Sequence, residues 1–327
     1  MNAPLPAVDA ESFARAVEPY RRELKAHCYR LSGSVHDAED LLQDALVRAW
    51  KGLPQFEGRS SFRVWLYKVA THTCLNALES KKARGLPIEQ RPAGLVTDPM
   101  VPEFEVPWLE PCPPDLYAAF EQGPEARYER RESVALAFLA ALQLLPARQR
   151  ALLVLHEVMG WSADECASLL EMSPDAVHSA LQRARSSLAA RRAAWAPTAP
   201  STELLSMLER YLAAWEAADL ASLVSLLHDD ATLTMPPIPV WLQGAQAVEA
   251  SMRAMIFGAA SPGQFRVEST EANGVPALAV YQRVEGGPGY APYALQLLQW
   301  REGQVAGIIA FLDPRLFLAL GLPATLS

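Results

Sequence analysis

Apolar residues recur every three or four positions through two long stretches of the chain, residues 12–84 and residues 127–192. Because an α-helix completes a turn in about 3.6 residues, this spacing places the apolar side chains on one face and predicts helices. Between the two stretches, prolines crowd residues 87–126, and their fixed φ angles and missing amide donors exclude regular helix. The pattern therefore predicts two all-α domains joined by an extended linker.

The pattern changes after a second proline-containing boundary at residues 195–200. Helical spacing continues to about Leu227, and β-rich segments then follow, separated by turn pairs such as Asn273-Gly274. Such pairs commonly connect antiparallel strands. The last part of the chain is therefore predicted to be an α+β domain with an antiparallel sheet. The expected boundaries are a disordered tail at 1–11, helical domains at 12–86 and 127–195, linkers at 87–126 and 196–203, and the α+β domain at 204–321.

Two short helices with a tight turn between them are predicted within residues 160–188. Ser162 and Glu165 have the spacing of a capping box, and Ser173 precedes Pro174 at the start of the second helix. This arrangement is typical of a helix-turn-helix, whose second helix presents its exposed face to the major groove of DNA. The side chains expected on that face are Ser173, Asp175, His178, Ser179, Gln182, Arg183 and Arg185. A plain helical hairpin with a solvated polar face is the alternative.

The helix-turn-helix and the preceding L-L-P-A-R-Q-R-A-L-L-V-L at Leu144–Leu155 resemble region 4 of extracytoplasmic-function (ECF) sigma factors, members of the sigma-70 family. Residues 37–50, D-A-E-D-L-L-Q-D-A-L-V-R-A-W, resemble the region 2 helix with which this family binds core RNA polymerase. The resemblance implies a sigma factor that directs promoter-specific transcription initiation, with the β′ clamp helices and the β flap of the polymerase as partners. The residues it places at the polymerase are Asp37, Asp40, Gln43, Asp44, Val47 and Arg48.

Residues 56–84 resemble the segment with which the family melts the promoter and reads its minus-ten element. Basic and aromatic side chains interleave there, and such groups can hold phosphates and stack on an extruded base. The resemblance implies DNA contacts for Arg63, Trp65, Tyr67, Lys68, His72, Asn76, Lys81, Lys82 and Arg84. The alternative is that Trp65 and Tyr67 complete the helical core, and for Trp65 this alternative is favoured. The chain departs from the family near His72 and Asn76, which leaves the promoter sequence open, and Glu171 replaces a frequent Gly, so strain is expected at that turn.

The linker at 87–126 carries eight acidic residues against one basic residue. A stiff acidic strand suits a basic nucleic-acid channel such as the polymerase active-site cleft, and a solvated spacer is the alternative for most of its length. Trp108 and Leu109 are costly to leave in water. Together with Pro111 they are expected to form a docking site.

The α+β domain at 204–321 resembles SnoaL-like domains of the nuclear-transport-factor-2-like cone fold, which some sigma subfamilies carry as a fused regulator. The resemblance implies a cone with an internal pocket and makes a small-molecule ligand a candidate partner. The candidate residues for this pocket, or for a domain interface, are His228, Asn273 and Asp313. A solvated turn explains His228, and N-capping explains Asp313, without any chemistry. No enzymatic activity is therefore expected.

Composition and charge further limit the functions that the chain can have. The net charge is −8, and the two helical stretches have only a small basic excess, so the chain alone is expected to bind DNA weakly. The four cysteines are scattered without a CxxC spacing, so we expect buried thiols and neither a metal site, a disulfide framework nor a cofactor. No apolar run is long enough to span a membrane and Met1–Ala10 lacks a signal-peptide layout, which predicts a cytoplasmic protein without a membrane partner.

Two other function classes stay open at this point. A ligand-converting enzyme of the SnoaL type would need a paired acid and base inside the cone, and the sequence offers no clear second member. A one-component regulator with a helix-turn-helix and a ligand-sensing domain accounts for residues 127–321. That class leaves residues 37–84 unexplained, so a sigma factor is the favoured interpretation.

Overall fold

The computed structural model describes residues 9–79, 81–118, 135–192 and 202–327. These residues form two compact units. The first unit contains both helical domains, and the second contains the C-terminal domain together with residues 85–114. Most of the described part of the proline-rich linker therefore packs as a component of the C-terminal domain.

The first helical domain contains four α-helices, where the apolar spacing predicts three or four. They are α1 (Ala10–Val17), α2 (Arg21–Ser32), α3 (Val35–Gly52) and α4 (Phe62–Leu78). The side chains of Asp9, Ser34 and Ser61 accept hydrogen bonds from first-turn amides and so begin α1, α3 and α4. Helix α2 ends at Gly33, whose φ of 72° favours glycine. Two one-turn helices follow in the chain, α5 (Pro87–Gln90) in the second unit and α6 (Asp115–Ala118) in the first.

The second helical domain confirms the predicted helix-turn-helix. Its helices are α7 (Leu136–Gln143), α8 (Ala147–Leu153), which continues into a π-helical turn (Val154–Val158), α9 (Ala163–Leu170) and α10 (Pro174–Arg192). The capping box begins α9, because Ser162 Oγ accepts from the amide of Glu165 at 3.2 Å while Glu165 Oε2 accepts from the amide of Ser162 at 2.8 Å. Ser173 Oγ accepts from the amide of Ala176 at 3.2 Å and begins α10.

The C-terminal domain packs helices against a six-stranded sheet. Its elements are α11 (Thr202–Glu216), α12 (Leu220–Ser225), β1 (Leu227–Met235), β2 (Ile238–Gln243), α13 (Ala245–Met252), β3 (Phe265–Ala272), β4 (Val275–Arg283), β5 (Tyr290–Arg301), β6 (Gln304–Phe311) and α14 (Arg315–Ala319). The strand order is β2-β1-β6-β5-β4-β3. Tyr211 and Trp215 of α11 share a core with Leu233, Leu278 and Ile308 of the sheet.

The sheet differs from the prediction in two places. It is mixed rather than antiparallel, because β1 and β6 pair in parallel. A parallel pair needs a long crossover, and all the other strands lie between β1 and β6 in the chain. The second difference is β2, an edge strand after Pro236 and Pro237 that lies outside the predicted β-rich segments at 231–235, 265–271, 276–284, 293–301 and 305–312. Prolines indicate a break, but an edge strand tolerates them because one side of it has no neighbouring strand.

The expectations about cysteines and membranes can be compared with the structure. Cys28, Cys74, Cys112 and Cys166 are all buried and free, as predicted. None of the helices in the described ranges combines the length and the hydropathy needed to cross a bilayer. Those ranges also contain no group of three or more His, Cys, Asp or Glu side chains placed to hold a metal ion.

The strain predicted at the helix-turn-helix lies at Glu171, which has a φ of 55°. A side chain in this left-handed region costs about 1–2 kcal/mol, and glycine avoids that cost but loses about 0.5–1 kcal/mol in chain entropy. We expect Glu171→Gly to raise the free energy of local unfolding of α9 and α10 by about 0.5–1 kcal/mol, measured by amide hydrogen exchange. Glu171→Ala is the control, because it removes the same charge and keeps the strain. Equal stabilisation by both variants would assign the effect to charge.

Candidate polymerase and promoter interfaces

The predicted polymerase-binding residues follow one side of α3. Asp40, Gln43, Asp44, Val47 and Arg48 are all exposed, and Val47 keeps 51% of its surface accessible although it is aliphatic. Their spacing leaves the apolar residues of α3 on the opposite side, in the helical core. The structure therefore presents these five side chains together as a charged stripe with one apolar position.

Asp37, the sixth predicted residue, has a different environment. Its carboxylate accepts hydrogen bonds from Lys81 Nζ at 3.1 Å and from Arg84 Nη2 at 2.8 Å, and its side chain is 20% exposed. Burial alone raises the pKa of Asp37, but the hydrogen bonds and charges of Arg84 and Lys81 outweigh burial and lower that pKa below its usual value. Asp37 thus connects the start of α3 to the basic segment that follows α4.

The predicted minus-ten residues differ in how accessible their side chains are. Lys68, Asn76, Lys81 and Lys82 are exposed. Trp65 is half-buried and lies 5.0 Å from Phe56 and 5.6 Å from Phe62 between ring centroids, as the core alternative for it predicts. Arg63 forms a two-pronged ion pair with Glu23, with Nε–Oε1 and Nη2–Oε2 distances of 2.9 and 2.8 Å. That hydrogen bonding raises the pKa of Arg63.

Tyr67 and His72 are less accessible, and both contact the second helical domain. Tyr67 is fully buried, its ring lies edge-on to Trp161 at a centroid distance of 5.7 Å, and burial raises the pKa of its hydroxyl. The Nε2 of His72 lies 2.9 Å from the carbonyl oxygen of Leu169 in α9. Because a carbonyl oxygen can only accept, this nitrogen carries the proton.

The face of α10 that is predicted to enter the major groove is exposed, in agreement with its helical spacing. All seven residues assigned to it, Ser173, Asp175, His178, Ser179, Gln182, Arg183 and Arg185, are exposed. Val177, Ala180, Leu181 and Ala184 bury the opposite face. Arg185 Nε donates to Glu157 Oε1 at 3.0 Å, so this guanidinium has an acidic partner within the domain.

The predicted docking residues of the linker are buried. Trp108 and Leu109 are 7% and 0% exposed, and Pro111 is also buried. The strand-like segment at Trp108 bridges Gly85 in parallel, with the amide of Leu109 donating to the Gly85 carbonyl at 3.0 Å. The indole of Trp108 donates to the carbonyl of Glu103 at 2.9 Å. The linker therefore has internal structure of its own around these residues.

Hydrogen bonds attach this linker to the C-terminal domain at two places. At the turn between β3 and β4, the Cys112 amide donates to Asn273 Oδ1 at 3.0 Å and the Asn273 amide donates to the Cys112 carbonyl at 3.1 Å. Along the edge strand β2, the Gly94 amide donates to the Trp241 carbonyl at 2.8 Å, and the Trp241 indole donates to the Arg91 carbonyl at 2.8 Å. The amide of Glu103 donates to the Pro237 carbonyl at 2.9 Å.

The three candidate residues of the cone lie apart from one another. His228 is at the start of β1, where its Nδ1 accepts from Arg301 Nη2 at 2.8 Å. Asp313 follows β6 at the opposite end of the β1–β6 pair and accepts from Arg315 Nε and Nη2 at 2.9 and 2.6 Å. Asn273, at 1% exposure, anchors the linker. The Asn-Gly turn in the sequence did not predict that Asn273 binds the linker. Nothing in the sequence indicated that Trp241 of β2 also binds it.

The ion pairs of Asp37 generate a testable prediction about stability. The folded-state pKa of Asp37 is lowered, so its stabilisation is present above the unfolded value of about 3.9 and is lost as pH falls through the folded-state pKa. We expect Asp37→Asn to reduce the free energy of unfolding of the first helical domain by about 1 kcal/mol at pH 7, with the difference shrinking below about pH 4. Asp40→Asn, at an exposed position three residues later, should change stability little. Hydrogen exchange at the two pH values measures both, and equal losses would contradict the assignment.

Comparison with known proteins assigns all three domains of the chain to known families. Residues 16–84 match sigma-70 region 2, residues 135–188 match sigma-70 region 4, and residues 208–311 match the SnoaL-like domain. The ECF RNA polymerase sigma factor SigG of Mycobacterium tuberculosis is 46% identical over 318 residues, which cover 96% of this chain and 85% of that protein.

A second relative, the sigma factor SigJ of the same organism, is 31% identical over 217 residues, covering 66% of this chain and 62% of that protein. The crystal structure of M. tuberculosis SigJ has the same fold, with a TM-score of 0.59 at 23% identity over 95% of this chain and 99% of that one. The chain belongs to the ECF family of RNA polymerase sigma factors, in a form that carries a C-terminal SnoaL-like domain.

Proposed function

We propose that this sigma factor binds core polymerase through the exposed stripe of α3, reads promoter DNA with both helical domains, and is regulated by a C-terminal domain that holds its linker. Family membership implies core RNA polymerase and promoter DNA as partners. The residue-level assignments are proposals. The β′ clamp helices meet the α3 stripe, and the β flap and the minus-thirty-five duplex meet the second helical domain.

Exposure and charge support these assignments. Asp40, Asp44 and Arg48 lie in the stripe of α3 with Val47 between them, which suits a partner helix that offers both charges and an apolar contact. Lys68, Lys81 and Lys82 are accessible to the phosphates of a melted strand, and α10 presents polar side chains to duplex. With a net charge of −8, most of the affinity for DNA is expected to come through the holoenzyme.

The observation that carries the regulatory proposal is the reciprocal pair of hydrogen bonds between Cys112 and Asn273. A linker bound to the C-terminal domain in this way cannot at the same time lie extended in a polymerase channel. The two environments therefore compete for the same acidic segment. Each hydrogen bond contributes about 0.5–1.5 kcal/mol net, so the contacts at Asn273, Trp241 and Pro237 together bias the linker towards the domain and leave polymerase binding able to overcome them.

The buried polar groups of the C-terminal domain favour a regulatory role over a catalytic one. Among its described residues, the buried side chains of Thr234, Ser251, Asn273 and Gln296 do not ionise, and burial raises the pKa of the Tyr211 hydroxyl above its usual value. General acid–base catalysis needs a titratable pair, which these side chains do not supply. A small-molecule ligand of the cone stays a prediction, and such a ligand would act by changing how firmly the domain holds the linker.

The first experiment is transcription in vitro with purified core polymerase over a promoter library, comparing the full chain with a chain ending at Pro200. Promoter-dependent transcripts are expected from both, and more from the shortened chain because its linker has lost the domain that holds it. Fewer transcripts from the shortened chain would mean that the C-terminal domain assists. If neither protein directs a start, the proposed function is wrong.

A point variant of the full chain tests the linker contact itself. Asn273 has a φ of 52°, so Asn273→Gly keeps the backbone conformation and removes the Oδ1 acceptor. Losing a bond of about 0.5–1 kcal/mol shifts an equilibrium about two- to fivefold, and we expect promoter-dependent transcription to rise within that range. Glu302→Gly, at the exposed turn between β5 and β6 where φ is 53°, makes a matched backbone change and should leave transcription close to that of the unaltered protein. Equal transcription from both variants would show that the Asn273 side chain does not regulate transcription.

A further inference from the structure

Helix α10 carries two arginines on the face proposed for the major groove. Successive residues of an α-helix are rotated by about 100°, so Arg183 and Arg185 lie at opposite edges of that face, about 160° apart. Asp175, Ser179 and Gln182 lie between them and are exposed. A helix in a major groove has a DNA backbone on either side, so each arginine can reach the phosphates of a different strand.

The two guanidiniums differ in their acidic partners. Arg185 Nε donates to Glu157 Oε1 at 3.0 Å, and Arg185 Nη2 donates to the same oxygen. Within the part of the chain that the structure describes, no carboxylate forms an ion pair with Arg183. One edge of the groove face therefore carries a full positive charge, whereas the charge at the other edge is balanced. An exposed ion pair adds little to the stability of a fold, so this pair calls for another explanation.

The position of Glu157 depends on a change of helix type at the end of α8. Residues 154–158 form a π-helical turn, which inserts one residue into a helix and rotates the side chains that follow. Such turns are frequent at functional sites. Glu157 lies exposed on this turn, and His156 Nδ1 donates to the Trp161 carbonyl at 2.7 Å, which ties the turn to the segment before α9. The carboxylate is thus held at a fixed place beside α10.

We propose that Glu157 is a positioning residue for promoter recognition, which holds Arg185 at one edge of α10 and leaves its Nη1 available to a backbone phosphate. Phosphate contacts fix the register of a protein on DNA, and base contacts specify the sequence. A held Arg185 therefore fixes how Ser179 and Gln182 meet the base edges. The carboxylate also balances a charge that attracts any DNA, so it weakens binding to DNA in general while the promoter keeps its advantage. This inference rests on the proposed function.

The test measures how tightly the holoenzyme, formed from the full chain and core polymerase, binds two duplexes. One duplex carries the minus-thirty-five element of a promoter found in the library experiment, and the other carries the same bases in scrambled order. Glu157→Ala removes the charge and the acceptor, whereas Glu157→Gln removes the charge and keeps an acceptor. Both variants should bind the scrambled duplex more tightly at low salt, and the slope of log K against log [salt] should steepen by about 0.9, as for one more neutralised phosphate.

The two variants should differ in their preference for the promoter. Glu157→Ala should lower the ratio of promoter to scrambled affinity by about two- to tenfold, the change for losing one hydrogen bond, whereas Glu157→Gln should keep most of that ratio. In an Arg185→Gln background, Glu157→Ala should no longer change the ratio, because no guanidinium is left to position.

The matched control is Glu249→Ala, which removes the same charge from a surface ion pair of the C-terminal domain, where Arg253 Nη2 donates to Glu249 Oε1 at 2.7 Å. It should leave the salt slope and the ratio unchanged, and an equal effect from it would assign the result to net charge and overturn the inference. An unchanged slope or ratio in Glu157→Ala, an equal loss of the ratio in Glu157→Gln, or a loss that persists without Arg185 would each overturn it as well. If the unaltered holoenzyme does not distinguish the duplexes, the proposed function is contradicted, and this inference fails with it.

Discussion

The arrangement of the first unit depends on the hydrogen bonds of one buried side chain, the guanidinium of Arg150. A cation removed from water needs several acceptors, and here they come from the end of α7 and from the last turn of α2. The acceptors belong to two domains that lie far apart in the chain, so satisfying this one side chain also brings the domains together. The same principle recurs in the opposite direction where His72 binds the Leu169 carbonyl. Helix ends, which must find partners in any fold, thereby become the means of joining two DNA-binding domains.

The linker follows a related constraint in the second unit. An edge strand leaves backbone groups without a neighbouring strand, and such edges need cover. Residues 85–114 supply part of it at β2, where the amide of Gly94 donates to the Trp241 carbonyl in the strand and the amide of Glu103 donates to the Pro237 carbonyl just before it. The buried anchor at Asn273 then fixes the far end of the same segment. A segment whose prolines limit it to the single helical turn of α5 is suited to this role, because most of its remaining amides can bind the domain instead of each other.

The linker is also the connection between the two helical domains. The chain leaves the first unit after Arg84 and returns to it at Asp115, so the residues held by the C-terminal domain are also the tether between the DNA-binding domains. Extended chain spans at most about 3.3–3.6 Å per residue, so residues 85–114 alone could reach about 100 Å when released. A tether folded onto the C-terminal domain is much shorter. Binding of the linker by that domain therefore shortens the connection between the two helical domains.

Local spacing was sufficient for the helices, their caps and the exposed face of α10, because each depends on residues three or four positions apart. The caps formed by Ser162 with Glu165 and by Ser173 before Pro174 follow from residues close together in the sequence. The exposed stripe of α3 follows from the helical spacing of its polar residues. The family motifs extended this to the order of the domains. The sequence by itself did not determine the parallel pairing of β1 with β6, the partners of Asp37, the anchor at Asn273 or the burial of Arg150. Each of those joins residues at least 44 positions apart, so only the path of the folded chain decided which polar group would meet which.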